Sequence, residues 1–473
     1  MLPNIKKHSH SVGKLKLKTK KMNKLFTLLL TLALVAIFNY SEAQETKYRR
    51  SSMTMVLAED DGLGEFREKI IKSYNSNPFP DKYNKHTIAD NKFNLDKIKL
   101  EDEDLIKSGF LQDTLTTPVA MLKATAKLKT LRYLASDSLS AIVLPTKNEI
   151  FQAKLDKFIR DKQLAKQMFS TWFNRKENGD MDWEEVKSRG LYSASAQDMD
   201  DAKASADKGA YLLDFQLIAN SFVVFNKMKF YKNEPVAALA RDLAKEATKK
   251  KMAKSPPALL EKALEAIDVI YEETKIGYTV ACNTFLYQLD WNEEIATKFK
   301  SKYFNNEVTT DDKTAAWKDG AFMDLSLVGK TFSSSIVTVK IGEKRTLDQL
   351  IDLQVKRTMD NALSKLQKTY VVFRPITPIT SVEPVTARIG MKEGIEAGDK
   401  FEVLESETNE LGVPTWKKVG KVSVDKKVVV WDNRAGAESP LDENGKPLES
   451  PEFTTFKGGK KLMPGVHFIR QSK

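Results

Sequence analysis

The sequence predicts an α+β body followed by a small all-β barrel or sandwich. Three observations carry that reading. Apolar residues recur at intervals of three and four through long segments between 145 and 368, as amphipathic helices require. Dense β-branched and aromatic runs such as 220–225 and 276–289 lie between them and suit buried strands. After Thr386 the helical period disappears and short strands alternate with glycines.

Taken in order, residues 48–57 read as an opening strand. Gly64 to Tyr74 follow as a short helix with Phe66, Ile70 and Ile71 on one side, ended by Pro78 and Pro80. The segment 145–173 reads as helical, with Phe151, Leu155, Phe158, Ile159, Leu164, Met168, Phe169, Trp172 and Phe173 as its apolar set. Another helix is expected over 197–219, running into a buried strand at 220–225. Helices at 234–250 and 257–273 come next. The second opens on Ser255 as a cap with Pro256 and Pro257 in its first turn, and turns Leu260, Leu264, Ile267 and Ile270 to one face.

Ile276 to Leu289 is a long strand, and 335–341 another. Thr346 and Gln349 have the spacing of a capping box. They open a helix to about Lys368, with Leu347, Leu350, Ile351, Val355, Leu363 and Leu366 inward. It feeds directly into the apolar stretch 370–374, and Pro375 and Pro378 mark a boundary. The last module is expected over 386–473. Its strands are 400–404, 416–424, 427–431 and 466–470, with an exposed loop at 434–452.

The start of the chain speaks of location. Met22-Asn23-Lys24, the apolar run Leu25 to Phe38, and Ser41-Glu42-Ala43 have the order of a secretory signal peptide over 22–43. The run is 14 residues, short of the roughly 20 that a spanning helix needs. Residues 1–21 read as sequence upstream of a true start at Met22, and 1–43 as a leader ahead of a 44–380 body. The leader holds eight lysines and one glutamate, so seven of the chain's twelve net positive charges lie there. The remaining five give an ordinary mixed surface and no support for nucleic-acid binding. Cys282 stands alone, which excludes an intramolecular disulfide.

No catalytic, cofactor-binding or metal-binding set stands out. Beyond the leader only His86 and His467 remain, and neither lies near a nucleophile elbow. Cys282 reads as a small buried residue rather than a thiol nucleophile. Asn174 to Glu185 has the length of a calcium loop, but Lys176 occupies a ligand position, so a polar turn is expected. Carboxylates cluster at Asp60-Asp61, at Glu101 to Asp104, and at Asp198, Asp200 and Asp201, where solvated charge is the ordinary outcome. Trp416 and Trp431 both fall on strands of the final module. They are the candidates for a ligand platform, with core placement as the alternative.

Tyr48-Arg49-Arg50-Ser51-Ser52 and Pro78 to Asn84 resemble blocks of a family of exported Bacteroidetes proteins with no established activity. Trp172 to Arg175, Arg189 to Tyr192 and Leu217 to Val224 resemble other blocks of the same family. That resemblance implies an exported location and no particular chemistry. Gly390 to Leu404 is similar to the glycine-turn and strand pattern of small β modules that end some envelope accessory proteins of flagella or curli-type secretion.

Together these features predict an exported, non-enzymatic scaffold or binding protein of the cell envelope. It would be periplasmic, outer-membrane associated or extracellular, peripheral at most to a membrane, and its partner an envelope protein or a glycan. The alternative is a carboxylate-dependent hydrolase of polysaccharide or peptidoglycan. No cofactor is expected, and the oligomeric state stays open.

Overall fold

The structure is a computed structural model that describes residues 51–109, 146–193, 216–305, 307–320, 322–338, 345–408, 414–434 and 452–472. The expected leader, most of the 197–219 helix, Asp198, Asp200 and Asp201, and nearly all of the 434–452 loop lie outside those residues.

The body is built on a mixed sheet. Its strands are β1 (Ser51–Glu59), β2 (Tyr83–Lys85), β3 (Lys92–Asn94), β4 (Ser221–Lys232), β5 (Gly277–Leu289) and β6 (Leu325–Thr338), in the order β2-β1-β4-β5-β6, with β3 also on β1. β1 runs parallel to β2, β3 and β4, whereas β4, β5 and β6 are antiparallel. Both faces are covered over the middle of the sheet, so its strands are apolar at successive positions instead of alternating. Phe222, Val223, Val224 and Phe225 are all buried for that reason.

Val223, Phe225, Phe285 and Tyr287 face one layer, formed by α3 (Lys147–Asp161) and α4 (Leu164–Trp172). On the other face Leu57, Met228, Val280 and Cys282 meet α1 (Arg67–Ser76) and α10 (Leu347–Thr369). Met53, Phe222, Val224 and Leu286 continue that second layer against Leu363, Leu366 and Phe373. The other helices of the body are α2 (Asp102–Lys107), α5 (Glu184–Ser193), α6 (Asn233–Lys251), α7 (Pro257–Thr274), α8 (Glu293–Tyr303) and α9 (Thr310–Asp319).

Several expectations shift. The 145–173 segment is helical as expected, in two helices, because Gln163 sits at φ 50° and redirects the chain between them. The expected 335–341 strand begins ten residues earlier, at Leu325. Directly after the long helix, Val371–Phe373 form a 3-10 turn. Leu347, expected inward, is exposed in the first turn of its helix. Ser255 does not cap α7, whose N-cap is Pro256 with no side-chain hydrogen bond.

The C-terminal module is a closed antiparallel barrel of β7 (Thr377–Val382), β8 (Val385–Ala387), β9 (Lys400–Thr408), β10 (Pro414–Val424), β11 (Thr454–Gly458) and β12 (His467–Gln471). Their order is β10-β11-β8-β7-β12-β9. Closure leaves no free sheet edge. Ile379, Ile389, Phe401, Val403, Val422, Phe456 and Ile469 fill its interior. The barrel takes its first strand from Thr377, so it begins before residue 386. Pro378, read as a boundary, sits on β7 opposite Phe468 near the start of the strand, where a missing amide donor is tolerated. Residues 427–431 form no strand.

Arg374 fastens the barrel to the body. Its guanidinium donates to the carbonyls of Gln367 (2.9 Å) and Lys368 (2.8 Å) at the end of α10, and to that of Gln471 (2.9 Å) on β12. A cation at the carbonyl end of a helix also satisfies acceptors left open there. The turn Met391–Glu393 docks beside α10, where Lys368 pairs with Glu396 at 2.9 Å.

Candidate functional site

A cleft of about 310 Å³ opens where body and barrel meet. The body supplies Ser51, Lys82, Tyr83, Gln216, Ala219 and Asn220; the link after α10 supplies Val371, Val372, Arg374, Pro375 and Ile376; the barrel supplies Trp416 and Arg470. Each is placed by a local rule. Tyr83 is held by β2, its ring stacked on Phe373 at 4.9 Å and its hydroxyl donating to the Phe373 carbonyl at 2.7 Å. Burial raises that hydroxyl's pKa. Val371 and Val372 are exposed because the 3-10 turn aims Phe373 into the core and leaves its neighbours outside.

Trp416 lies on the barrel's outer wall, with its ring edge-on to Phe468 at 5.1 Å. Arg470 alternates outward from the interior Ile469 and pairs with Glu402 at 3.0 Å. The cleft is therefore an apolar rim of valines, Ile376 and Trp416 within a cationic frame. All three of its cations are engaged: Arg374 on three carbonyls, Arg470 on Glu402, and Lys82 on Asp81 at 3.4 Å.

Trp416 thus stands on a cleft wall, but Trp431 does not join it. Trp431 lies under the Arg388 guanidinium at 5.8 Å, and its carbonyl accepts from the Met391 amide at 2.9 Å. The two tryptophans do not form one platform.

Other sequence candidates turn out to be structural. His86 is buried, donating from Nε2 to the Met168 carbonyl (3.0 Å) and accepting at Nδ1 from Arg189 (2.9 Å). Burial first, then the Arg189 charge, push its pKa down to about 3, so the ring is neutral. Arg189 also donates to Ser52 Oγ (2.9 Å), pairs with Glu185 (2.6 Å) and lies 4.5 Å over the Trp172 ring. Glu185, the last position of the calcium-like stretch, is thus held by a cation, and Asp182 of the same stretch accepts from Asn174 (2.9 Å) and pairs with Lys176 (3.5 Å). Cys282 is buried beside Thr284, and burial pushes its thiol up to about 12. His467 accepts the Met463 amide at 3.0 Å within the barrel's last turn.

Asp60 accepts from the Gly62 amide and pairs with Lys227, and Asp104 holds Lys157 and Arg160. Burial raises the pKa of two other acids. Asp156 accepts from Tyr287 at 2.6 Å, and Asp290 accepts from Ser326 at 2.9 Å. Sequence proximity did not single out these two acids, which lie 134 positions apart, on α3 and just after β5, and each feels the Asp324 charge. Among the described residues no group of His, Cys, Asp and Glu has the arrangement of a metal site. No described helix is long and apolar enough to cross a membrane.

No family model matches the chain, and no curated protein matches it.

Proposed function

We propose that this chain is an exported, non-enzymatic binding or scaffold protein of the cell envelope, and that the body–barrel cleft receives an extended segment of a partner protein. The cleft carries the reading. It joins an apolar rim at Val371, Val372, Ile376 and Trp416 to Arg374, whose hydrogen bonds brace the two halves, and to Arg470, which pairs within the barrel. Such a rim suits apolar side chains of a peptide. A glycan platform calls for a flat, open aromatic ring, whereas Trp416 is half-buried and edge-packed. The leader's pattern at 22–43 supports the exported location. A neutral buried His86 and a buried Cys282 support a binding role over acid–base or thiol chemistry.

A photo-crosslinking residue at Val372, in the native organism after gentle envelope fractionation, tests both claims. The expected result is one reproducible protein adduct in an envelope fraction, lost with Trp416→Ala. Recovery in the cytosol would end the location claim. Turnover of a cell-wall glycan that disappears with Asp156→Asn or Asp290→Asn would instead support the hydrolase reading.

A further inference from the structure

The helical hairpin α6–α7, inserted between β4 and β5, is a second feature independent of the cleft. Its helices lie side by side, with Lys245 paired to Asp268 at 2.5 Å and Arg241 4.4 Å over the Tyr271 ring. Two helices cannot enclose a core, and no residue of α7 is buried. Leu239, Leu243, Leu259, Val269 and Ile270 remain between 52% and 63% exposed. Exposed apolar residues continue at the root of the hairpin with Tyr231, Ile276, Phe332 and Ile336. The register Tyr231–Thr279–Ile336 sets Tyr231 and Ile336 on one sheet face. The root is rigid: Gly277, at φ 130°, rejoins β5 so closely that a Cβ there would meet the Val337 carbonyl at 2.0 Å.

Charge along the hairpin is polarised. Residues 245–262 at the tip hold six lysines against Glu246 and Glu261, a net of +4. Residues 233–244 and 263–275 at the root hold Arg241 and Lys275 against Glu234, Asp242, Glu265, Asp268, Glu272 and Glu273, a net of −4. Lys250–Glu246 and Lys275–Glu272 pair within one end, whereas Lys245–Asp268 pairs across the boundary and leaves +3 at the tip and −3 at the root. The carbonyl end of α7 repels Glu272 and Glu273 through the helix dipole, and Lys275 at the C-cap pairs with Glu272 at 2.7 Å. The net negative charge that remains at the root would be offset by a cationic neighbour.

We infer that the hairpin is a homotypic interface, in which a second copy of this chain lays its own hairpin antiparallel across a two-fold axis. Each basic tip then lies beside the other's acidic root, and the exposed leucines, Val269 and Ile270 are covered between them. A surface that pairs with itself across a two-fold must be self-complementary, and a basic tip with an acidic root is so only in the antiparallel sense. Parallel alignment sets like charges together. An anionic lipid surface or an acidic partner would match the tip and be repelled by the root.

Sedimentation velocity of the full chain tests this. At low salt it should run as a dimer at micromolar concentration, and 0.5 M salt should weaken association about tenfold or more. Leu239→Glu with Leu243→Glu should give a monomer with unchanged circular dichroism, since both side chains already face solvent. Lys249→Glu, Lys250→Glu and Lys251→Glu together should also give a monomer. Adding Glu265→Lys, Glu272→Lys and Glu273→Lys to that chain should restore the dimer, because the inverted hairpin is again self-complementary. A monomer at about 100 μM, where even weak specific pairs associate, would overturn the inference, as would a dimer indifferent to these changes. A monomer that sediments with anionic vesicles would overturn it too, and would give the surface to lipid.

Discussion

The 23-residue helix α10 buries eleven of its side chains, whereas the 18-residue α7 buries none. Both show an apolar period of three and four, and both begin cleanly in the sequence. Their surroundings differ. α10 lies across a sheet face whose strands offer Leu57, Met228, Val280 and Cys282, and its Gln354 reaches across to Ser335 on β6. α7 lies beyond the end of the same sheet and, among the described elements, packs chiefly against α6. Periodicity therefore states that a face needs cover; the topology decides whether the chain supplies it.

The strongest way to break the comparison is a charge in each helix. Val355→Asp in α10 should cost about 4 kcal/mol or more, because a buried carboxylate there has no partner. Val269→Asp in α7 should change monomer stability by less than about 0.5 kcal/mol. Urea denaturation at low protein concentration checks both, and equal losses would dissolve the distinction.

Acid provides the next test, since the hairpin carries no histidine while the body buries His86. The folded ring binds its proton only near pH 3, against 6.5 for an ordinary histidine. Between those values the unfolded chain binds more protons than the folded one. Stability from this group is thus full above pH 6.5 and falls as pH drops toward 3, by up to roughly 5 kcal/mol. Chemical denaturation from pH 7 to 4 should show the loss, and His86→Gln should flatten it. The Glu393 carboxyl, raised by burial, works in the opposite direction above its ordinary range.

Helix capping sharpens the contrast on a smaller scale. Thr346 and Gln349 cap α10 reciprocally, so Thr346→Ala should cost about 1 kcal/mol. Ser255→Ala, before α7, should be close to silent because Pro256 occupies the cap. Thermal melts of the two variants rank them, and a larger loss at Ser255 would contradict the assigned cap.

The fold was largely legible where a local pattern had one physical cause. Leu350, Ile351, Val355, Leu363 and Leu366 are inward as their spacing implied, and the glycine-punctuated end is a closed barrel. Pattern failed where the chain changes direction without glycine or proline, as at Gln163, and where short strands carry little period of their own, as in β7, β8 and β11. The cleft was not legible beyond Trp416. Its walls come from segments near 51, 82, 216, 371 and 470, each ordinary in its own neighbourhood. Its cations look like surface charge until the fold turns Arg374 toward β12. The hairpin's polarity, by contrast, was in the sequence throughout; it acquired meaning only once the structure left the apolar residues of α6 and α7 exposed.

The central claim is that the face α7 leaves open is closed by another copy of this chain. Hydrogen exchange followed by mass spectrometry, at protein concentrations above and below the dimer midpoint, tests it most directly. The account predicts that amides of 233–274 exchange more slowly as concentration rises, while those of 347–369 stay slow throughout. Exchange over 233–274 that is independent of concentration would contradict it.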